Sequence, residues 1–340
     1  MSRMLEESLE APHRLADALA CDRELYARLG ERLRTDPPPA ALTIARGSSD
    51  HAAAYGAYLI TLLTGLPVAS LPPSLVTLER APLRLRGHLA LAVSQSGRSP
   101  DVVGSLEAAR GAGALTAALV NDTGSPLAQA AELVLGHHAG PERSVAATKS
   151  FLASLFGLAR LAAAWAEEDG LASAIQALPP KLEQAAASGA AADPGWLGGA
   201  SHVYVVARGI GLPVAHELAL NLKESCGIHG EAFSSAELRH GPREVVDSRF
   251  TVLALALPGP GQADVLAAAG ELAGQGARAQ VVGPGSLDMA LLAALPEGLD
   301  PRLAPIAAAQ ALYPLIARTA VALGRDPDRP RTLAKVTETI

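Results

Sequence analysis

The chain has 340 residues, enough for two ordinary domains that each bury a core. Its residues are 49% hydrophobic, largely Ala, Leu and Val, and only 3% aromatic, which suits packed α/β layers better than an aromatic-rich β-sandwich. A net charge of −6 without a Lys/Arg cluster excludes a general nucleic-acid binder, and two cysteines, Cys21 and Cys226, exclude a disulfide framework and a cysteine-rich zinc site.

Residues 4–34 read as an amphipathic helical arm, broken at Pro12 and closed by the prolines at 37–39. The first residues, MSRMLEESLEAPHR, lack the apolar centre of a signal peptide. The longest apolar run, 151–166, carries Arg160 and is shorter than the roughly 20 residues of a membrane span. No membrane partner is expected, and a cytoplasmic location is.

An apolar strand at 42–45 leads through Arg46-Gly47-Ser48-Ser49-Asp50 into a helix over 52–63. A second strand at 89–93 leads through Ser94-Gln95-Ser96-Gly97-Arg98-Ser99 into a helix over 100–111, with Pro100 at its first position. Strands at 115–120 and 133–135 and a long helix over 144–168 follow. The looser stretch 168–199, with Pro179-Pro180 and Gly198-Gly199, contains the domain junction. Beyond it, Tyr204-Val205-Val206-Ala207-Arg208-Gly209 repeats Thr43-Ile44-Ala45-Arg46-Gly47, and runs at 252–257 and 279–282 correspond in order to 89–93 and 115–120. The reading is an α/β chain of two duplicated, doubly wound, mainly parallel sheets flanked by helices. A helical lead-in occupies 1–36, the first domain 37–170, linker helices 171–198, the second domain 199–325 and a C-terminal tail 326–340.

The chemistry is divided between the copies. Ser48, Ser49 and the serines of 94–99 lie where a strand's carboxyl end meets a helix N-terminus, the usual ligand crevice of such sheets. Free N–H groups and the helix dipole favour an anion there, and a sugar phosphate suits the hydroxyl donors; helix capping is the alternative. Neither GxGxxG nor GxxxxGK[ST] occurs at these turns, so no nucleotide cofactor is expected. In the second copy the corresponding turns are Ile210-Gly211-Leu212 and Pro258-Gly259-Pro260-Gly261, and the polar groups instead fill 217–242: Glu217, Glu224, His229, Glu231, Glu237 and His240. If 217–226 is a regular helix, Glu217, Asn221 and Glu224 share one face, either a solvated stripe or the wall of a cleft. Carboxylate and imidazole together suit proton transfer between C1 and C2 of a sugar phosphate. A metal is not expected: His216-Glu217 begins like HExxH, but residue 220 is Leu, and His137-His138 is an isolated pair.

At these residues the chain resembles the double sugar-isomerase (SIS) domain family, as found in the isomerase half of glucosamine-6-phosphate synthase and the free-standing glucosamine-6-phosphate deaminases. Arg46 to Ser49, Ser94 to Gly97, Glu142-Arg143-Ser144-Val145-Ala146-Ala147-Thr148-Lys149, Glu217 to Pro242 and Arg329-Pro330-Arg331-Thr332-Leu333-Ala334-Lys335 fall in the family's order. The resemblance implies that Ser49, Ser94, Gln95, Ser96 and Ser99 hold phosphate, with Ser48 beside them. Val145 and Ala147 would border the sugar, Ala147 replacing a serine common in the synthase pattern. Glu224 would be the C1/C2 base, Glu217 a further acid of the catalytic set, and Lys335 the tail lysine that closes over the sugar. His240 would open the ring, which in this family can come from a neighbouring subunit, so a homodimer with shared active sites is expected.

The synthase pattern also has a glutaminase domain opening on cysteine and a lysine where this chain has Asn221; here residue 2 is Ser. The expected activity is therefore conversion of glucosamine 6-phosphate to fructose 6-phosphate and ammonia, without metal or nucleotide. The alternatives are a deglycase or aldose-ketose isomerase on another 6-phosphosugar, such as a fructosamine 6-phosphate, and a non-catalytic sugar-phosphate sensor. The stretch before Ala41, acidic at Glu6, Glu7 and Glu10, is too short and too acidic for a DNA-binding output.

Overall fold

Among the described residues, 1–333 and 335 in this computed structural model, the short apolar runs form two five-stranded sheets, parallel throughout. By contact they divide into two units, one from His13–Glu142 and Lys149–Gln176, the other from Met1–Pro12, Arg143–Thr148 and Ala177–Lys335. The segment 171–198 is thus shared between the units.

The chain opens with α1 (Arg3–Ala18), which straddles the division at Pro12. It is not broken there. A proline removes the N–H that would bond the carbonyl four residues back, and Gln310 Nε2 replaces it, donating to Ser8 O at 2.9 Å. The interruption comes instead at 19–22, ending on Asp22 in the left-handed region (φ 55°), before α2 (Arg23–Thr35).

The first sheet is assembled from β1 (Ala41–Ile44), α3 (Ser48–Thr64), β2 (Val68–Ser70), α4 (Pro73–Thr77), β3 (Leu89–Ser94), α5 (Pro100–Gly111), β4 (Leu115–Val120), α6 (Pro126–Ala130) and β5 (Leu133–Gly136). Its order is β2-β1-β3-β4-β5. Every residue of β3 is buried, as expected of a parallel strand covered on both faces. Ala90, Ala92 and Ala118 pack with Val102 and Leu106 of α5, each enclosed large aliphatic stabilising by about 1.5–3 kcal/mol. The unit ends with α7 (Lys149–Ala166) and α8 (Asp169–Gln176). The long helix therefore starts at Lys149 and not at 144. The Glu142 carboxylate accepts from Ser150 N (3.1 Å) and Ser150 Oγ (2.5 Å), satisfying a first-turn donor from outside the helix.

The second unit contains α9 (Leu178–Ala191), α10 (Pro194–Gly198), β6 (His202–Ala207), α11 (Leu212–Asn221), β7 (His229–Ser234), α12 (Ser235–Leu238), β8 (Phe250–Leu255), α13 (Gln262–Gly274), β9 (Arg278–Pro284), β10 (Leu291–Leu295) and α14 (Ala304–Ala322). Pro179 and Pro180 fall in the first turn of α9, where a missing N–H costs nothing. The sheet order is β10-β9-β8-β6-β7, the first sheet's order with β6 in the place of β1. The duplication is therefore one of topology as well as sequence. In each unit a glycine brings two helices to backbone contact: a Cβ on Gly30 would lie 2.4 Å from Ala164 O, and one on Gly189 would lie 1.6 Å from Ala311 O.

Candidate functional site

An order of β2-β1-β3-β4-β5 reverses direction between β1 and β3, and in open α/β sheets ligands enter at that switch, beyond the strands' carboxyl ends. Both hydroxyl turns are there, one between β1 and α3 and the other between β3 and α5. Ser48 and Ser49, half-buried, open α3, whose N-cap is Gly47 and therefore lacks a side-chain cap. Ser94 is buried, and its Oγ accepts from Gly97 N at 3.0 Å; Ser96 Oγ accepts from Arg98 N at 3.3 Å. Ser99 occupies the N-cap of α5 but makes no side-chain cap hydrogen bond. Neither turn, then, spends its serines on capping its helix. Arg46 Nε donates to Asp101 Oδ2 at 2.8 Å, joining the first turn to the buried carboxylate at the start of α5. The six serine and glutamine positions, Ser48, Ser49, Ser94, Gln95, Ser96 and Ser99, are thus gathered on one sheet edge.

The second sheet carries the same device in altered form. Arg208 follows β6 as Arg46 follows β1, and Asp264 stands in the first turn of α13 as Asp101 does in α5, with Arg208 Nε 4.0 Å from Asp264 Oδ2. Arg208 also donates to Ser234 Oγ at 3.1 Å and lies across the turn after β8: a Cβ on Gly261 would meet its Cβ and Cγ at 2.8 Å. Asp264 accepts in addition from Ser235 Oγ and from Arg239 Nη1 (2.9 Å). Arg239 and Arg243 both reach Glu271, at 3.0 and 3.2 Å, and Tyr204 Oη donates to Pro242 O at 3.0 Å. The Ser235 hydroxyl, then Arg239, holds the Asp264 carboxyl below the usual range, and Arg239 does the same for Glu271. His240 is therefore an exposed imidazole on a loop pinned on both sides to α13.

The stretch 217–242 is not one helical face. Glu217 and Asn221 lie on α11, both with 0% exposure; Asn221 Nδ2 donates to Glu217 Oε1 at 2.7 Å and to Glu217 O at 3.2 Å. The helix then widens into a π turn, Leu222–Cys226, closed by Gly227 in the left-handed region. The wider turn moves Glu224 off the stripe that a regular helix would share, and it is half-buried while Glu217 is enclosed. Such turns are frequent at functional sites. Cys226, pushed up to about 12 by burial, is an inert thiol. His229 and Glu231 lie on the edge strand β7, and Glu237 is exposed on α12.

Val145, Ala147 and Lys335, each half-buried, belong to the unit that carries Glu224 and His240, whereas the hydroxyl turns belong to the other. The tail around Lys335, Ala334 and 336–340, lies outside the described residues. Sequence reasoning missed Glu7, whose Oε1 accepts from Arg143 N at 2.6 Å and whose Oε2 accepts from Ser144 N and Oγ at 3.1 and 2.5 Å. It missed Asp101 as well, although the recurrence of Arg46 as Arg208 was the available signal. Among the described residues no group of three or more His, Cys, Asp or Glu is placed to hold a metal ion, and no helix is long and apolar enough to cross a membrane. The two adjacent histidines are separately engaged: His138 Nε2 is 2.7 Å from Asp22 Oδ2, and His137 is enclosed, its pKa lowered to about 3 by burial.

Comparison with known proteins bears on this arrangement. The SIS domain profile matches residues 39–164, the first sheet. Isomerizing glutamine-fructose-6-phosphate aminotransferases from Methanothermobacter thermautotrophicus and Thermus thermophilus are each 34% identical over 98% of this chain, which spans 56% and 58% of their lengths. Glucosamine-6-phosphate deaminase from Thermotoga maritima shares the fold, with a TM-score of 0.79 at 22% identity, covering 99% of this chain and all of that one. A chain from Silicibacter pomeroyi DSS-3, to which phosphosugar isomerase activity has been ascribed, is 38% identical with a TM-score of 0.90, covering 96% of this chain and 100% of its own. With that relative matched along its whole length, and the profile on the first sheet, the chain belongs to the SIS-domain family.

Proposed function

We propose that the chain is a phosphosugar-converting enzyme of the isomerase type, and that it deaminates an amino-sugar 6-phosphate, turning glucosamine 6-phosphate into fructose 6-phosphate and ammonia. The observation that carries this reading is the pair of hydroxyl turns, uncommitted to capping and clamped by Arg46–Asp101 at the β1/β3 switch. They offer a phosphate N–H and O–H donors at two helix N-termini. In the reaction His240 moves a proton from the C1 hydroxyl to the ring oxygen, and the ring opens. Glu224 removes the C2 proton and returns it at C1, leaving a ketimine at C2. Water adds there and ammonia departs. Lys335 assists at the C1 oxygen, and the proposal includes a homodimer in which His240 serves a neighbour's site.

The named relatives link the family to fructose 6-phosphate and an amino group without fixing the direction. One point favours deamination. Asn221 satisfies the buried Glu217 as a neutral amide where the synthase pattern has a lysine. The test is incubation with a panel of phosphosugars, glucosamine 6-phosphate first, while ammonia and ketose are followed. Ammonia release no faster than in a Glu224→Gln control sinks the deaminase; turnover of fructosamine 6-phosphate alone makes the chain a deglycase, and binding without turnover makes it a sensor.

The phosphate turn can be tested separately. Gly97 has φ 64°, and a Cβ there would lie 2.1 Å from Ser125 Oγ and 2.6 Å from its Cβ. Gly97→Ala should cost about 1–2 kcal/mol of stability from the left-handed backbone alone. It should also weaken phosphosugar binding by about tenfold or more, since displaced N–H donors lose charge-assisted bonds of about 1.5–3 kcal/mol. Calorimetric titration beside thermal unfolding checks this, and unaltered affinity places the phosphate elsewhere.

A further inference from the structure

Three parts of the second unit meet on the first turns of α1. Both oxygens of Asp328 cap the helix, Oδ2 accepting from Arg3 N at 2.9 Å and Oδ1 from Met4 N at 2.8 Å. The backbone carbonyl of the same Asp328 accepts from Val145 N at 3.4 Å. One turn on, Glu7 binds the neighbouring Arg143 N, Ser144 N and Ser144 Oγ with both of its oxygens, although it is buried. Ser225 Oγ, next to Glu224 in the π turn, donates to Met4 Sδ at 3.5 Å. A carboxylate that accepts two or three N–H or O–H bonds is strongly fixed, and removing it leaves those donors without a partner.

We infer that α1 is a coupling element and that Asp328 and Glu7 are positioning residues: Asp328 seats the tail that carries Lys335, and Glu7 seats the 143–148 loop that carries Val145 and Ala147, both against the turn that carries Glu224. The inference deepens the proposed function and rests on it for the roles of Lys335 and Glu224. Its geometry does not. The tail and the sugar loop share one anchor, so disturbing Asp328 disturbs the loop together with the tail that carries Lys335.

Hydrogen exchange and kinetics on the full chain test it together. In Asp328→Ala, amides of 143–148 should exchange about tenfold faster or more, while those of β6 keep their wild-type rates. KM for the turned-over phosphosugar should rise about tenfold, with Asp328→Asn, which keeps one acceptor, falling between. In a Lys335→Ala background the same substitution should raise KM by only about threefold, the share carried by the tail being already lost and the share carried by the loop remaining. Unchanged exchange at 143–148 overturns the coupling, and an equal penalty in both backgrounds reduces Asp328 to a structural cap. If no phosphosugar is turned over, the functional reading fails, while the exchange result still decides the coupling.

Discussion

Glu224→Gln should lower phosphosugar turnover by about 10³-fold and leave binding within a few-fold, because general acid–base transfer typically contributes about 10²–10⁴ and an amide cannot accept the C2 proton. Glutamine is nearly isosteric, and Glu224 is half-buried in the π turn, so its neighbours keep their packing. The buried Glu217–Asn221 pair on α11 remains intact, and the hydroxyl turns belong to the other unit. A selective loss of kcat is therefore expected. Steady-state kinetics paired with wash-in of solvent deuterium at C1 or C2 measures it directly. A variant retaining more than about a tenth of wild-type turnover would move the base elsewhere, with Glu217 the next carboxylate to substitute.

The largest effect on stability should come from Gly189→Ala, at about 3 kcal/mol or more. On α9 a Cβ at this position would lie 1.6 Å from Ala311 O and 2.5 Å from Ala311 C on α14, an approach no side chain tolerates. The neighbour is backbone in the middle of a helix, so no rotamer change relieves the clash and the two axes must separate. Overpacking ordinarily costs about 1–3 kcal/mol, and this contact is at the upper end because α14 is buried along nearly its whole length. For a unit of this size the midpoint of thermal unfolding should fall by about 6–12 °C. Gly270→Ala is the control. It lies in α13 of the same unit with nothing within 4 Å of its built Cβ, and it should be neutral or stabilising by about 0.5–1 kcal/mol. Equal melting of the two variants would mean that α9 and α14 do not approach this closely.

The alternation of strand and helix was legible because parallel strands enclosed on both faces are written as unbroken apolar runs; β4 and α5 fall on the residues expected. The strands that escaped notice are all edge strands. β2 is three largely exposed residues, β7 reads His-Gly-Glu-Ala-Phe-Ser, and β10 ends the second sheet. Pro12 was read as a break because the compensating donor, Gln310, is 302 residues away from the carbonyl that it bonds. At the candidate site the hydroxyl turns were visible because strand, glycine turn and helix follow one another within a few residues. The enclosure of Glu217 and the widening of the helix at Glu224 were not, since a π turn has no compositional mark and burial depends on distant packing. Glu7 and Asp328 were invisible for the same reason, acting across 136 and 325 residues of chain.

The matched pairs Arg46–Asp101 and Arg208–Asp264 have a consequence for stoichiometry. A duplicated sheet provides two geometrically equivalent crevices, and a chain that kept both would take up two anions. In the second sheet the arginine lies across the turn after β8, and its aspartate is engaged by Ser235 and Arg239. The edge that the first sheet leaves to its hydroxyl turns is filled in the second by side chains that brace the His240 loop. On the proposed reading, one phosphosugar should therefore bind per chain and not two, a stoichiometry that calorimetric titration measures.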